Sequence, residues 1–354
     1  MTQRTLAGLL AVPLVVALWL AALLVPLPYV TYSPGYTIDV LGQADGEEMI
    51  EVRGAPSYHD HDGQLRFTTV FVTQPDTRIG LLEAMGAWLD PDAAVYPYDT
   101  VYRPGETDAT SEREGAQQMA SSQDTAVAVA LTELGYRVET PVVARVQPGS
   151  PSDGVLEAGD ELIALDGERV GSVDDVVSAV AQGPGDQPVD VRLRRGGEQR
   201  TVTVDREEVE GEPRIGVELS VSYDFPFEVD FAIDPEIGGP SAGLMLSLAT
   251  YDVLTEGSLT DGEVVAGTGT IAADGSVGPI GGIDQKIAAA RDDGAALFLV
   301  PPDNCADAVD APRGDMRLVR AETMSDALTA IEAWVDDPDA DLPQCSDDSG
   351  ATDA

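Results

Sequence analysis

Lysine occurs once in this chain of 354 residues, and histidine and cysteine occur twice each. Two cysteines cannot build a disulfide framework and are too few for a cysteine-rich zinc site. Positive charge is scarce as well. Lysine and arginine together number 20 against 63 acidic residues, a formal net charge of −43. Without clustered basic side chains to neutralise phosphates, nucleic acid is excluded as a partner. The same balance predicts a strongly hydrated surface. What is present excludes disorder: 43% of the residues are hydrophobic, enough for a real core. The length allows about two or three domains.

One long apolar run breaks the acidic pattern. Leu6 to Val30 carries no charge, Arg4 precedes it, and Asp39 is the first acid after it. A bilayer needs about 20 apolar residues, so the run predicts an N-terminal transmembrane helix. Positive-inside logic gives a single-pass protein of the cell membrane, N-terminus cytoplasmic and body extracytoplasmic. A cleaved signal peptide is the competing reading, but no small-x-small site follows the run. Outside the cell, Cys305 and Cys345 are candidates for a bridge that pins the C-terminal tail; two free thiols are the alternative. His59 and His61 alternate with aspartate in SYHDHDGQ. The adjoining Asp-Gly favours a solvated hairpin loop over a metal site, and no metal or cofactor is expected.

Downstream of a mixed segment, Asp124 to Val138 reads as a helix closed by Gly135. Short strands follow at Val142–Gln147 and Glu161–Leu165. Ser172 then caps a helix with Val173, Val176, Val177 and Val180 on one face. The run VQPGSPSDGVLEAGDELIALDGERVGSVDDVVSAV carries a resemblance to bacterial PDZ domains. That resemblance implies binding of extended C-termini by strand addition, the carboxylate held by a glycine loop. Leu134-Gly135-Tyr136 is the nearest match to such a loop. A domain that only packs and binds no free peptide is the alternative.

The chemistry-bearing residues come later. GGPSAGLMLSLATYDVL is a tight turn entering an almost wholly apolar, hence buried, helix. Ser241 stands near its first turn, where unpaired N–H groups and the positive dipole end favour an oxyanion. An N-capping role fits the same position. Lys286 lies near the start of another helix, followed by Ile287 and three alanines. The dipole and burial both lower an amine's pKa, as a general base for serine requires. A surface lysine is the plain alternative, yet every other basic side chain here is arginine, which cannot be deprotonated.

Gly239-Pro240-Ser241-Ala242-Gly243, Thr268-Gly269 and Pro279-Ile280-Gly281-Gly282-Ile283-Asp284-Gln285-Lys286 together resemble the proteolytic domain of Lon proteases. The resemblance implies an α+β fold like ribosomal protein S5 domain 2. It implies Ser241 as nucleophile, Lys286 as base, and Thr268 orienting the lysine. Two positions depart from the Lon pattern: Gly238 and Thr270 stand where acids are usual. Lon's ATPase has no counterpart here, because a phosphate loop needs Gly-Lys-Ser/Thr and the only lysine follows Gln285. The layout as a whole resembles membrane-anchored PDZ–Lon-like serine proteases of Gram-positive bacteria. The expected domains are an anchor at 1–31, a mixed α/β segment at 32–122, a PDZ domain at 123–208, a protease domain at 209–337 and an acidic tail at 338–354. The expected partners are protein or peptide substrates with exposed or unfolded segments, and the membrane through the N-terminal helix. The Lon resemblance adds a hexameric ring. A catalytically inactive PDZ scaffold is the alternative function.

Overall fold

The structure is a computed structural model. It describes all residues except 1–10, 20–24, 45, 60–61, 184–186, 210 and 346–354. The chain divides into two compact units, residues 1–129 with 229–354, and residues 130–228.

The first unit is built on a six-stranded mixed sheet. Its strands run in the order Arg317–Arg320, Leu297–Val300, Val264–Gly267, Gln64–Val72, Tyr29–Asp39 and Ala94–Pro97. The first four are mutually parallel and the last two pair antiparallel. The mixed segment after residue 32 therefore supplies three strands to the same sheet as the C-terminal part. Leu297–Val300 is buried at every position, as a parallel strand covered on both faces requires. The helix Gly243–Leu254 is buried at ten of its twelve residues, so its apolar character runs all round rather than along one stripe. It lies so close to the sheet that a Cβ at Gly267 would come within 2.6 Å of Met245 Sδ. The last helix, Met324–Asp336, opens with a reciprocal capping box between Thr323 and Asp326. It buries Met324, Leu328, Ile331 and Trp334, while Val335, expected on that stripe, is half-buried.

The transmembrane helix and the single-pass membrane placement expected from the N-terminal run are corrected here. Among the described residues, no helix is long and apolar enough to cross a membrane. The described part of the run is helical only over residues 11–19. The rest of the expected helix, 6–10 and 20–24, lies outside the described residues. His61 lies outside them too. His59 sits 3.8 Å from Glu48 and 3.2 Å from the Ser57 hydroxyl, and no cluster of three ligating side chains suited to a metal occurs among the described residues.

Cys305 and Cys345 form a disulfide across 40 residues. Residues 338–345 are held to the unit by further contacts. Leu342 is buried, the Arg320 N–H donates to Pro343 O, and Arg317 donates to the carbonyls of Pro338 and Ala340. Closing a loop of this length removes about 4 kcal/mol of unfolded-state entropy. Reduction is therefore expected to lower the unfolding temperature by roughly 10 °C. Differential scanning calorimetry with and without reductant checks this, and an unchanged midpoint would mean the loop closure contributes nothing.

The second unit is an antiparallel sheet in the order Glu198–Val204, Val189–Arg195, Glu161–Leu165, Glu139–Val146 and Val217–Tyr223, with the short strand Glu168–Arg169 paired to Glu161–Leu165. The helix Val173–Gln182 is capped by Ser172 and buries Val176 and Val180 in the core. Asp160 of the Ala-Gly-Asp turn is fully buried. It is held by a two-pronged pair with Arg195, 2.6 Å on each side, and by the Glu157 N–H.

Candidate active site

Three segments of the first unit meet around Ser241. The loop 238–242 leads into the helix Gly243–Leu254. This helix is capped by Ala242 without a side-chain bond, so Ser241 lies two residues before it and caps nothing. Among the described residues the Ser241 hydroxyl makes no hydrogen bond, and the residue is half-buried. Its carbonyl is firmly held: it accepts from the Gly269 N–H at 2.9 Å and from the Thr268 hydroxyl at 3.1 Å. Thr268 directly follows the strand Val264–Gly267 and is fully buried.

Lys286 comes from the helix Ile283–Asp292. Gly282 caps that helix in the left-handed region, φ +70°, and a Cβ there would lie 2.8 Å from Val70 Cγ1. Glycine is thus required twice over, by conformation and by space. The turn drives Lys286 inward to 2% exposure, and its Nζ donates to Thr268 Oγ1 at 3.0 Å. The threonine hydroxyl accepts from the amine and donates to the serine carbonyl, linking lysine to the main chain of Ser241. Burial, with no carboxylate among the described residues to pair the ammonium, lowers the amine's pKa from 10.5 to about 7.

Donors for an oxyanion are limited. Pro240 has none. Gly239 donates to Gly115 O and Gly243 to Pro240 O, so these glycines are occupied. The N–H groups of Ser241 and Ala242 have no acceptor among the described residues. The loop is braced from behind by the helix Asp108–Glu133, whose Ser122 hydroxyl donates to Pro240 O at 3.1 Å. Gly238 passes so near Gly115 that a Cβ on it would lie 3.0 Å from the Gly115 Cα. Any side chain at position 238, one of the departures from the Lon pattern, would require the Gly115 backbone to give way. The contribution of Ser122 and Gly115 was not apparent from sequence, because they lie more than 115 residues from the loop they support.

In the second unit the suggested peptide loop needs correction. Leu134, Gly135 and Tyr136 donate their N–H groups to Ala130, Thr132 and Leu131 carbonyls, closing the end of the helix Asp108–Glu133 with Gly135 at φ +86°. This is a Schellman-type stop. Its donors are used and cannot also hold a carboxylate. The strand Val217–Tyr223, paired on one side only among the described residues, forms the sheet edge instead. Ile215 and Gly216 precede it, and their N–H groups have no acceptor among the described residues. The strict alternation of Val217, Leu219, Val221 and Tyr223 with polar residues was a legible signal for this strand.

Comparison with known proteins agrees with both units. Residues 233–332 match the family model described as the Lon protease (S16) C-terminal proteolytic domain, and residues 117–205 match that of the PDZ domain. Both domains are present in the chain. Among curated proteins, Lon protease of Campylobacter concisus is 34% identical over 110 residues, 30% of this chain and 13% of that protein. Lon protease of Syntrophomonas wolfei is 27% identical over 243 residues, 65% of this chain and 28% of that protein. The zinc metalloprotease RasP of Geobacillus kaustophilus is 36% identical over 71 residues, 20% of this chain and 17% of that protein. The matched segment thus spans about an eighth of the length of the Campylobacter relative. Among solved structures, the PDZ domain of an SdrC-like protein from Listeria monocytogenes is 22% identical, covering 24% of this chain and 88% of that one with a TM-score of 0.22.

Proposed function

We propose that this chain is a serine endopeptidase working through Ser241 and Lys286, with Thr268 orienting the amine. The reading rests on one observation above all. The chain's single lysine is buried with no countercharge among the described residues, its pKa falls to about 7, and Thr268 ties it to the main chain of Ser241. An uncharged amine so held can take the proton of a serine hydroxyl as the oxygen attacks a peptide carbonyl. The resulting oxyanion faces the free N–H groups of Ser241 and Ala242. The lysine ammonium returns the proton to the leaving amine, giving an acyl-enzyme. Water then attacks the acyl carbon, losing a proton to the Lys286 amine, which passes it to the serine oxygen as the carboxylic acid departs. Hydrogen bonds of this kind tighten when substrate binds, which fits the unpaired Ser241 hydroxyl of the free protein.

The PDZ unit supplies recognition in this reading. A peptide C-terminus adds along the outer edge of the strand at 217–222, its carboxylate at the N–H groups of Ile215 and Gly216. The helix Val173–Gln182 packs against this strand and leaves Val177 exposed beside the unit's core.

Incubation of the full chain with a serine-directed phosphonate tests the assignment. An adduct mapped to Ser241 is expected, absent from Ser241→Ala and slowed below pH 7. A folded protein that binds peptide but never labels would instead be an inactive scaffold.

A further inference from the structure

A cavity of about 720 Å³ opens at the start of the helix Ile283–Asp292. Neither Lys nor Arg lines it. Asp284, Asp307 and Asp310 converge there, and among the described residues none has a hydrogen-bond or ion-pair partner. With 63 acidic residues against 20 basic ones most carboxylates in the chain lack a cation, and these three are set apart by sharing one cavity. The Asp284 carboxyl is held above its ordinary pKa, first by burial and then by Asp307 and Asp310.

The rest of the lining points the same way. Gln285 is 98% buried and lines the cavity, yet its amide makes no hydrogen bond among the described residues. With no protein partner among the described residues, the amide borders the open cavity, where water or a ligand supplies its hydrogen bonds. Tyr32 and Tyr96 stack edge to face with centroids 5.1 Å apart and form an aromatic wall. No three carboxylate or imidazole groups among the described residues are arranged to hold a metal ion, which favours a larger, planar cation.

We propose that this cavity binds an arginine side chain. Its guanidinium spans the separated carboxylates, donates to the Gln285 amide oxygen and packs on the tyrosine rings. Arginine suits this better than lysine, because its planar fork carries five donors and stacks on aromatic faces. The arginine belongs either to a bound polypeptide or to a second copy of the chain.

Titration calorimetry tests this with the full chain bearing Ser241→Ala, so that the peptide stays intact whether or not the chain is a peptidase. The probes are a short peptide with one arginine and the same peptide with citrulline. The arginine peptide is expected to bind about tenfold tighter, since citrulline keeps the shape and loses the charge. Asp284→Asn with Asp310→Asn should abolish that preference. Gln285→Met, which alters no charge, should weaken arginine binding about fivefold. Glu207→Gln with Glu208→Gln, on an exposed hairpin of the other unit, should leave the preference in place and controls for net charge. Sedimentation velocity separates the two sources. Self-association dissolved by Asp284→Asn with Asp310→Asn assigns the arginine to another copy, and a monomer that binds the peptide assigns it to a polypeptide ligand. Equal affinity for citrulline, a preference surviving the aspartate changes, or full affinity in Gln285→Met would overturn the proposal. So would a chain that neither binds the peptide nor self-associates, or stoichiometric calcium binding lost in the aspartate variant.

Discussion

Lys286→Arg is expected to lower kcat/KM on an unstructured polypeptide by about 10³-fold or more. Arginine keeps a positive charge at every accessible pH, so it can neither accept the Ser241 proton nor return it. Ser241→Ala should fall at least as far, and the double variant little further, because the two groups act as a unit. The wild-type pH profile tests the same chemistry independently. The base works only as the free amine, and the buried amine titrates at about 7. The rate should therefore rise with pH through that value and level off above it. Thr268→Val belongs in this series. It removes both bonds linking the lysine to Ser241, so it should lower kcat more than it raises KM. An active Lys286→Arg, or a rate that rises only near the ordinary lysine value of 10.5, would eliminate Lys286 as the base.

Lys286→Met is expected to inactivate the protein and stabilise it. The amine keeps its proton up to about 10.5 when unfolded but only up to about 7 when buried. Between these values the unfolded chain binds the extra proton, so native stability rises with pH across this window. Below about 7 both forms are charged, and burial of the ammonium costs its full amount, about 5 kcal/mol at 1.36 kcal/mol per pH unit. Methionine fills the space without that cost. It gives up the bond to Thr268, about 1 kcal/mol. At pH 6 the variant should resist denaturant better than wild type by several kcal/mol, and the gap should close towards pH 10. Denaturant midpoints at the two pH values measure this. A variant that is weaker at pH 6, or a gap independent of pH, would mean that the lysine is not a buried neutral base. The expected trade of stability for activity is common where a site holds a group its surroundings disfavour.

Several features were legible in the sequence because they depend on near neighbours. The Ser172-capped helix needs only a cap and a 3.6-residue apolar repeat, and it forms at Val173–Gln182. The strand Glu161–Leu165 follows from its residues and the Asp-Gly turn after it. The buried helix after Ser241 follows from a run of apolar residues with no polar face. The rarity of lysine singled out Lys286 without coordinates, since composition alone poses the question of why one amine was kept.

Other features depend on contacts between distant residues. The strands at Tyr29–Asp39 and Gln64–Val72 belong to the sheet that carries Thr268, a pairing across about 200 residues that no local pattern encodes. Gly135 does close a helix, but its neighbours' N–H groups are already used in the folded chain, and the sheet edge lies at Val217–Tyr223. Apolar length alone suggested a membrane helix that the described residues do not form. Residue type and spacing determine which groups can react; how deeply an amine is buried, and which donors remain unpaired beside a serine, are decided by chain segments that meet only when the sheet closes.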